Sequence, residues 1–204
     1  YAKKSHETPR FRVGDGLAEG TQMGPLATAG QLSKIEALAA DAVQRGAKIE
    51  TGGSRIGNRG YFFQPTVLSG MTPEMDAMNE EPFGPVMLVM PVDDIHAALT
   101  EANRLPYGLA SYAFTNSLST ERKISERINA GMLGLNHYVM AVPETPFGGG
   151  GDSGMGSYHG KAGFETFSHG KSVVKRSTWL DPGIKYPPYR TPLAVLRKVM
   201  PLIS

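Results

Sequence analysis

The sequence predicts an α/β fold, a parallel twisted sheet flanked by helices, and three observations carry that prediction. From Ala29 to Asn136, segments patterned as strands alternate with segments patterned as helices, the order that builds parallel sheets with helices on their faces. Apolar content of 40% in 204 residues is enough to bury roughly 70% of the extended-chain surface. Charged residues make up 20% of the chain and the net charge is +2, without the basic excess of a nucleic-acid binder. Cysteine is absent, which removes disulfides, zinc-thiolate sites and any thiol nucleophile from these residues.

The elements follow in order. Residues 1–12 are polar and carry little signal, and Val13 to Leu26, with four glycines and a proline, reads as a connecting loop. A phosphate cradle there needs a strand, a lysine and a helix start that the pattern lacks. From Ala29 to Arg45, the residues Leu32, Ile35, Leu38, Ala39, Ala42 and Val43 lay one apolar stripe on a helix, with Thr28 as N-cap and Gly46 just past the end. Ala47 to Glu50 reads as a short strand and Gly52-Gly53 as a turn. Tyr61 to Leu68 reads as a strand that Pro65 assigns to an edge or a bulge. Thr72-Pro73 reads as the cap and first residue of a short helix ending at Met78.

The next stretch is Asn79-Glu80-Glu81-Pro82-Phe83-Gly84-Pro85-Val86. Its prolines fix φ and bias the preceding residues towards extended geometry, so the segment is stiff and runs into an apolar strand, Val86 to Met90. In extended backbone Glu81 and Phe83 project to the same side, and Gly84 lets another surface approach the main chain. A carboxylate beside a flat ring suits a nucleoside. The plainer alternative is a loop with Phe83 in the core and Glu81 solvated.

Beyond it, Asp93 caps a helix Asp94 to Asn103, Tyr107-Gly108-Leu109 turns, and Ala110 to Thr115 is a strand. Ser119 to Asn129 is a helix stopped by Gly131, and Met132 to Asn136 is another strand. Asn136 to Pro146 is a loop with apolar Tyr138, Val139, Met140 and Val142. On the residues alone it packs on its own side chains as readily as it lines a passage.

The glycine-rich block from Pro146 to Gly160 imitates three sites. Gly149, Gly151 and Gly154 match Gly-x-Gly-x-x-Gly, but no strand directly precedes them and no acidic partner lies at the required distance. Gly151-Asp-Ser-Gly154 copies the surroundings of a protease serine in the wrong context, and Gly170-Lys-Ser172 lacks the first glycine of a phosphate loop, where Glu165 stands. His159 and His169 lie ten residues apart, not a helical metal pair, so they are expected to be hydrogen-bonded structural histidines and no metal is expected. Ser172 to Ser177 reads as a last strand. Leu193 to Ile203 is too short to span a bilayer and is expected to cover a groove on its own or a neighbouring subunit rather than lie on a membrane surface.

The run Glu80-Glu-Pro-Phe-Gly-Pro-Val86 resembles the Glu-x-Phe-Gly-Pro signature of the NAD(P)-dependent aldehyde dehydrogenase superfamily. Val13-Gly-Asp-Gly16, Gly24-Pro-Leu26, Pro146-Phe-Gly-Gly149, Ser153-Gly-Met-Gly156, Tyr158-His-Gly160 and Phe164-Glu-Thr-Phe-Ser-His169 fall in the same family's order, over roughly residues 13–190. The front half is similar to the succinate-semialdehyde type. The back half is similar to class 3, which includes fatty and coniferyl aldehyde dehydrogenases, with Gly150 departing from the valine usual there. The resemblance implies the C-terminal portion of the catalytic domain in residues 1–170, with an oligomerisation strand and a tail in 171–204.

In that family the glutamate binds the nicotinamide ribose and the phenylalanine places the nicotinamide ring, roles that fall to Glu81 and Phe83 with NAD or NADP. The loop after the last strand lines the aldehyde tunnel there, so Asn136, Val139 and Met140 are the expected substrate pocket, and the glycine block is its floor. The family's cysteine nucleophile and its water-activating glutamate lie upstream of the matched region, so no catalytic residue is expected here. A chain opening at Tyr1 without cysteine is expected to be a C-terminal fragment, inactive alone, of an enzyme oxidising an aldehyde to a carboxylic acid. The alternative is an inactive truncated paralogue that acts in assembly or regulation. Also expected are a homodimer or homotetramer, no nucleic-acid partner and, in the absence of a signal-peptide pattern, a cytoplasmic location.

Overall fold

A computed structural model describes residues 11–138, 142–176, 179, 186–188 and 190–199. They belong to two compact units that divide between Thr166 and Phe167.

In the first unit, α1 (Ala29–Gln44) starts where Thr28, in extended backbone, accepts the Gln31 N–H on its hydroxyl at 3.2 Å. Gln31 reaches back to accept the Ala27 N–H at 3.1 Å, so orphan donors at the helix start are satisfied from both directions. Leu32, Ile35, Leu38, Ala39 and Ala42 are buried. Val43, which the stripe included, stays exposed because it lies about 100° around the helix from Ala42.

β1 (Lys48–Thr51) pairs antiparallel with β2 (Thr66–Ser69), which pairs parallel with β3 (Val86–Val89). The strand after Pro65 is therefore central, not an edge. Proline has no N–H for a ladder, so pairing starts one residue later, where Thr66 donates to the Pro85 carbonyl at 2.8 Å. The register irregularity falls on β1, between Ile49 and Thr51.

The crossover from β2 to β3, residues 70–85, holds a single 3-10 turn, Asp76–Met78, in place of the expected helix. Met75 N–H closes a turn on the Thr72 carbonyl at 3.1 Å, with Pro73 in the second position that its fixed φ suits. Met75 then returns to extended backbone, at φ −74° and ψ 138°, so no helix propagates. Leu38, Ala42, Leu68, Met71 and Met75 form the main core. Leu32, Ile35 and Phe63 form a second cluster, and Val86 packs against both.

α2 (Ile95–Ala102) is capped by Asp94, one residue past the expected position: its carboxylate accepts the His96 and Ala97 N–H groups at 2.7 and 2.9 Å. These two bonds, Ala97's foremost, hold the carboxyl below its usual range. There follow β4 (Tyr107–Gly108), β5 (Ala110–Ala113), α3 (Leu118–Arg127, capped by Ser117), β6 (Met132–Leu135), β7 (Gly150–Gly151) and α4 (Gly160–Thr166). β5 and β6 pair parallel across α3, and β4 pairs antiparallel with β7. The result is an α/β arrangement with two parallel pairings, one of them bridged by an α-helix and the other by the 3-10 turn, its strands distributed over three ladders.

In the second unit, the described part of the strand expected over Ser172 to Ser177, residues 172–176, forms no strand, and Ser177 lies outside the described residues. Val173 and Val174 are 76% and 96% exposed, and no ladder partner is present among the described residues. The apolar segment near the C-terminus forms α5 (Leu193–Val199). Among the described residues no helix is long and apolar enough to cross a membrane.

Candidate functional site

The crossover between β2 and β3 borders a cleft of about 560 Å³, lined by Lys34, Ala77, Met78, Asn79, Glu80, Glu81, Phe83, Leu105 and Tyr107. Its first wall is built from the 3-10 turn outward. Asp41 of α1 accepts the Asp76 N–H at 2.9 Å and the Arg45 Nε–H at 2.6 Å. The bond from Arg45, then that from Asp76, keep the Asp41 carboxyl below the usual carboxylate range. Asn79 closes the turn, its Nδ2 donating to the Pro73 and Met75 carbonyls at 2.8 and 3.0 Å. The Asn79 and Glu80 N–H groups both donate to the Asp76 carbonyl.

From that base the two glutamates diverge. Glu80 pairs with Lys34 at 3.2 Å, while Glu81 is exposed on the cleft with no hydrogen bond or ion pair among the described residues. The expected strand-like alternation does not place Phe83. Its φ is +46°, left-handed backbone that costs a non-glycine residue on the order of 1 kcal/mol. Glu81 and Phe83 border the same cleft because the chain turns between Pro82 and Gly84. Phe83 as a residue is 65% exposed, so it does not belong to the core of this chain. Gly84 does what its sequence position implied. A Cβ there would press on the Ile35 side chain and meet Leu26 at 3.3 Å, and Ile35 is only 1% exposed, so it cannot easily give way.

Lys34, Leu105 and Tyr107 were not legible as site residues. Lys34 sits on the polar side of a regular helical pattern, where a lysine is ordinary, and the turn aromatic Tyr107 was the one available signal.

Of the three expected pocket residues Asn136 alone is among the described residues, and it is not in the lining of the neighbouring cleft. Val139 and Met140 lie outside the described residues. Asn136 has φ +53° and commits both side-chain polar atoms to Thr115, accepting its N–H at 2.8 Å and donating to its carbonyl at 2.9 Å. With its own N–H on the Ala113 carbonyl at 2.7 Å, it extends the β5–β6 ladder by imitating a strand. The adjoining cleft, about 340 Å³, is bordered by β6 residues and by His137, Val142, Thr145 and Pro146.

The glycine block supports this region by close backbone packing. A side chain at Gly131 would meet the Gly148 carbonyl, and one at Gly108 the Asn129 carbonyl. Ser153, the residue of the protease-like run, accepts the Gly108 N–H at 3.0 Å. His159 departs from expectation: its Nδ1 is buried with no hydrogen-bond partner among the described residues, and the ring is held by Tyr158 and Phe147, with centroids at 4.5 and 5.8 Å. Its φ of +75° turns the ring into that aromatic group.

The chain belongs to the aldehyde dehydrogenase family, whose sequence pattern matches residues 2–173. It is 43% identical over 160 residues to a 4-(hydroxymethyl)benzenesulfonate dehydrogenase of Comamonas testosteroni, covering 78% of this chain and 33% of that protein. It is 38% identical over 173 residues to succinate-semialdehyde dehydrogenase [NADP(+)] 2 of Schizosaccharomyces pombe, covering 84% of this chain and 35% of that one. Among solved structures, the NAD+ complex of an aldehyde dehydrogenase from Bacillus cereus superposes with a TM-score of 0.79 at 31% identity, over 84% of this chain and 35% of that one. The chain thus spans about a third of the length of the curated relatives it matches.

Proposed function

We propose that this chain is the C-terminal part of an NAD(P)-dependent aldehyde dehydrogenase, and that it holds the nicotinamide end of the coenzyme while the complete enzyme oxidises an aldehyde to a carboxylic acid. The observation that carries this reading is the convergence of a free carboxylate, Glu81, and an exposed ring, Phe83, on one cleft. The cleft's size falls in the ~300–1,000 Å³ range of small-molecule sites. Lys34 is neutralised by Glu80, which leaves Glu81 free to accept two ribose hydroxyls. Phe83 offers its face to a planar ring, with Tyr107 on the same cleft. Bound there, the coenzyme supplies the hydride acceptor; the residues of this chain supply orientation.

Orientation of this kind is a proximity effect, and a small misplacement costs up to about 100-fold in rate. Glu81→Gln in the complete enzyme is expected to slow single-turnover hydride transfer by about ten-fold or more. An unchanged rate overturns the role of Glu81. The second reading is a subunit that acts in assembly or regulation without turnover. Aldehyde-dependent NAD(P)H formation by the protein as cells make it, abolished by a thiol reagent, separates the two: its presence supports the enzyme, its absence the assembly subunit.

A further inference from the structure

The cleft has two walls from distant parts of the sequence, the segment Asn79 to Phe83 and the pair Leu105 and Tyr107. Arg104 immediately precedes the second wall and is bonded to the foot of the first. Its Nη1 donates to the Asn79 Oδ1 at 2.7 Å and its Nη2 to the Met78 carbonyl at 3.0 Å. The guanidinium is itself oriented by Glu101, whose two carboxylate oxygens each accept from Nε at 3.0 Å. The Arg104 side chain is 30% exposed and that of Glu101 18%, so the group is half-buried at the surface and held there by these bonds. Asn79, in turn, spends its Nδ2 on the Pro73 and Met75 carbonyls. One planar fork therefore connects the end of α2 to the turn that launches Glu80 and Glu81.

We infer that Arg104 is a positioning residue for the coenzyme: by tying the two walls together it sets the width of the cleft and the place of Glu81 and Phe83 within it. It borders no part of the cleft itself, so it acts through Asn79 and the Met78 carbonyl. The geometry calls for arginine. Three anchors in different directions, engaged at once by a rigid fork, are beyond a lysine ammonium, which is a compact point charge on a flexible stem. The left-handed Phe83 adds to the need, because strained backbone persists only where its surroundings over-determine it.

This inference rests on the nicotinamide reading of Glu81, and the experiment separates the two. In the complete enzyme, Arg104→Lys, Arg104→Met and Glu81→Gln are compared with the parent in three measurements: single-turnover hydride transfer, the dissociation constant for NAD(P)+ or its reduced form, and the dissociation constant for the corresponding ADP-ribose, which lacks the nicotinamide. Arg104→Lys and Arg104→Met are both expected to slow hydride transfer by about ten-fold or more and to weaken coenzyme binding, while ADP-ribose binding stays within two-fold of the parent. Little further loss is expected when Arg104→Met is added to Glu81→Gln. If Glu81→Gln slows transfer and Arg104→Met does not, the positioning role is wrong and the nicotinamide reading stands. If Glu81→Gln changes nothing, the nicotinamide reading fails and this inference with it. If Arg104→Met loses thermal stability and ADP-ribose affinity together while Arg104→Lys matches the parent, Arg104 is only a structural residue and the inference is overturned.

Discussion

The front and back of the first unit are held together by different forces. In the front, α1 and β1 to β3 bury large side chains, among them Ile35, Phe63, Leu68, Met71 and Met75, each at most 2% exposed. From Leu105 to Thr166, Met132 is the one buried hydrophobic residue among those described, and Tyr112 and Phe114 stay 51% and 67% exposed. There the chain is fixed by backbone lying on backbone at glycines and by hydrogen bonds such as the Asn136 clamp on Thr115. The difference teaches where each region fails. The cleft of Glu81 and Phe83 stands on a core that tolerates no deletion, the back ladders on spaces that tolerate no addition.

Predictions from that contrast run from large to small. Leu68→Ala removes a fully buried side chain from the central strand and is expected to cost about 2–5 kcal/mol, read as a shift of the denaturation midpoint. Gly131→Ala tests the other region: its new methyl points at the Gly148 backbone, and a loss of about 1–3 kcal/mol is expected. Thr28→Ala removes the cap of α1 at about 1 kcal/mol and should leave the back ladders untouched in hydrogen exchange. Gly150→Val is the control within the glycine block, with nothing closer to its Cβ than the Gly108 carbonyl at 4.0 Å. It is expected to stay within about 0.5 kcal/mol of the parent.

A pH test sharpens the front half alone. Asp41 is held below its usual carboxylate range by Arg45 and the Asp76 N–H. A depressed folded-state pKa contributes stability above the unfolded value, and that contribution is lost as pH falls through the folded one. The acid limb of the stability curve is therefore expected to flatten in Asp41→Asn, measured by thermal unfolding across the carboxylate range; an unchanged limb contradicts the clamp on the 3-10 turn.

Much of this was legible in the residues, for physical reasons that differ by element. The stripe of α1 and its Thr28 cap are local patterns, and both appear as read except that Val43 stays exposed. The strand after Pro65 was placed on an edge because sequence shows that proline lacks a donor but not where pairing will begin. Glu81 and Phe83 were paired by strand alternation but border one cleft by way of a left-handed turn instead, since a positive φ at a phenylalanine has no local signature. Arg104 and Lys34 escaped altogether. Their partners, Asn79 with Met78 and Glu80, lie 25 or more residues away, and nothing in an isolated arginine or lysine announces such a contact.

The central claim is that Glu81 and Phe83 receive the nicotinamide end of the coenzyme. A crystal structure of the complete protein with NAD(P)+ bound tests it most directly. Expected are a nicotinamide ribose hydroxyl within ~2.5–3.0 Å of the Glu81 carboxylate and the Phe83 ring against the nicotinamide. Coenzyme bound with its ribose away from Glu81, or its nicotinamide outside this cleft, contradicts it.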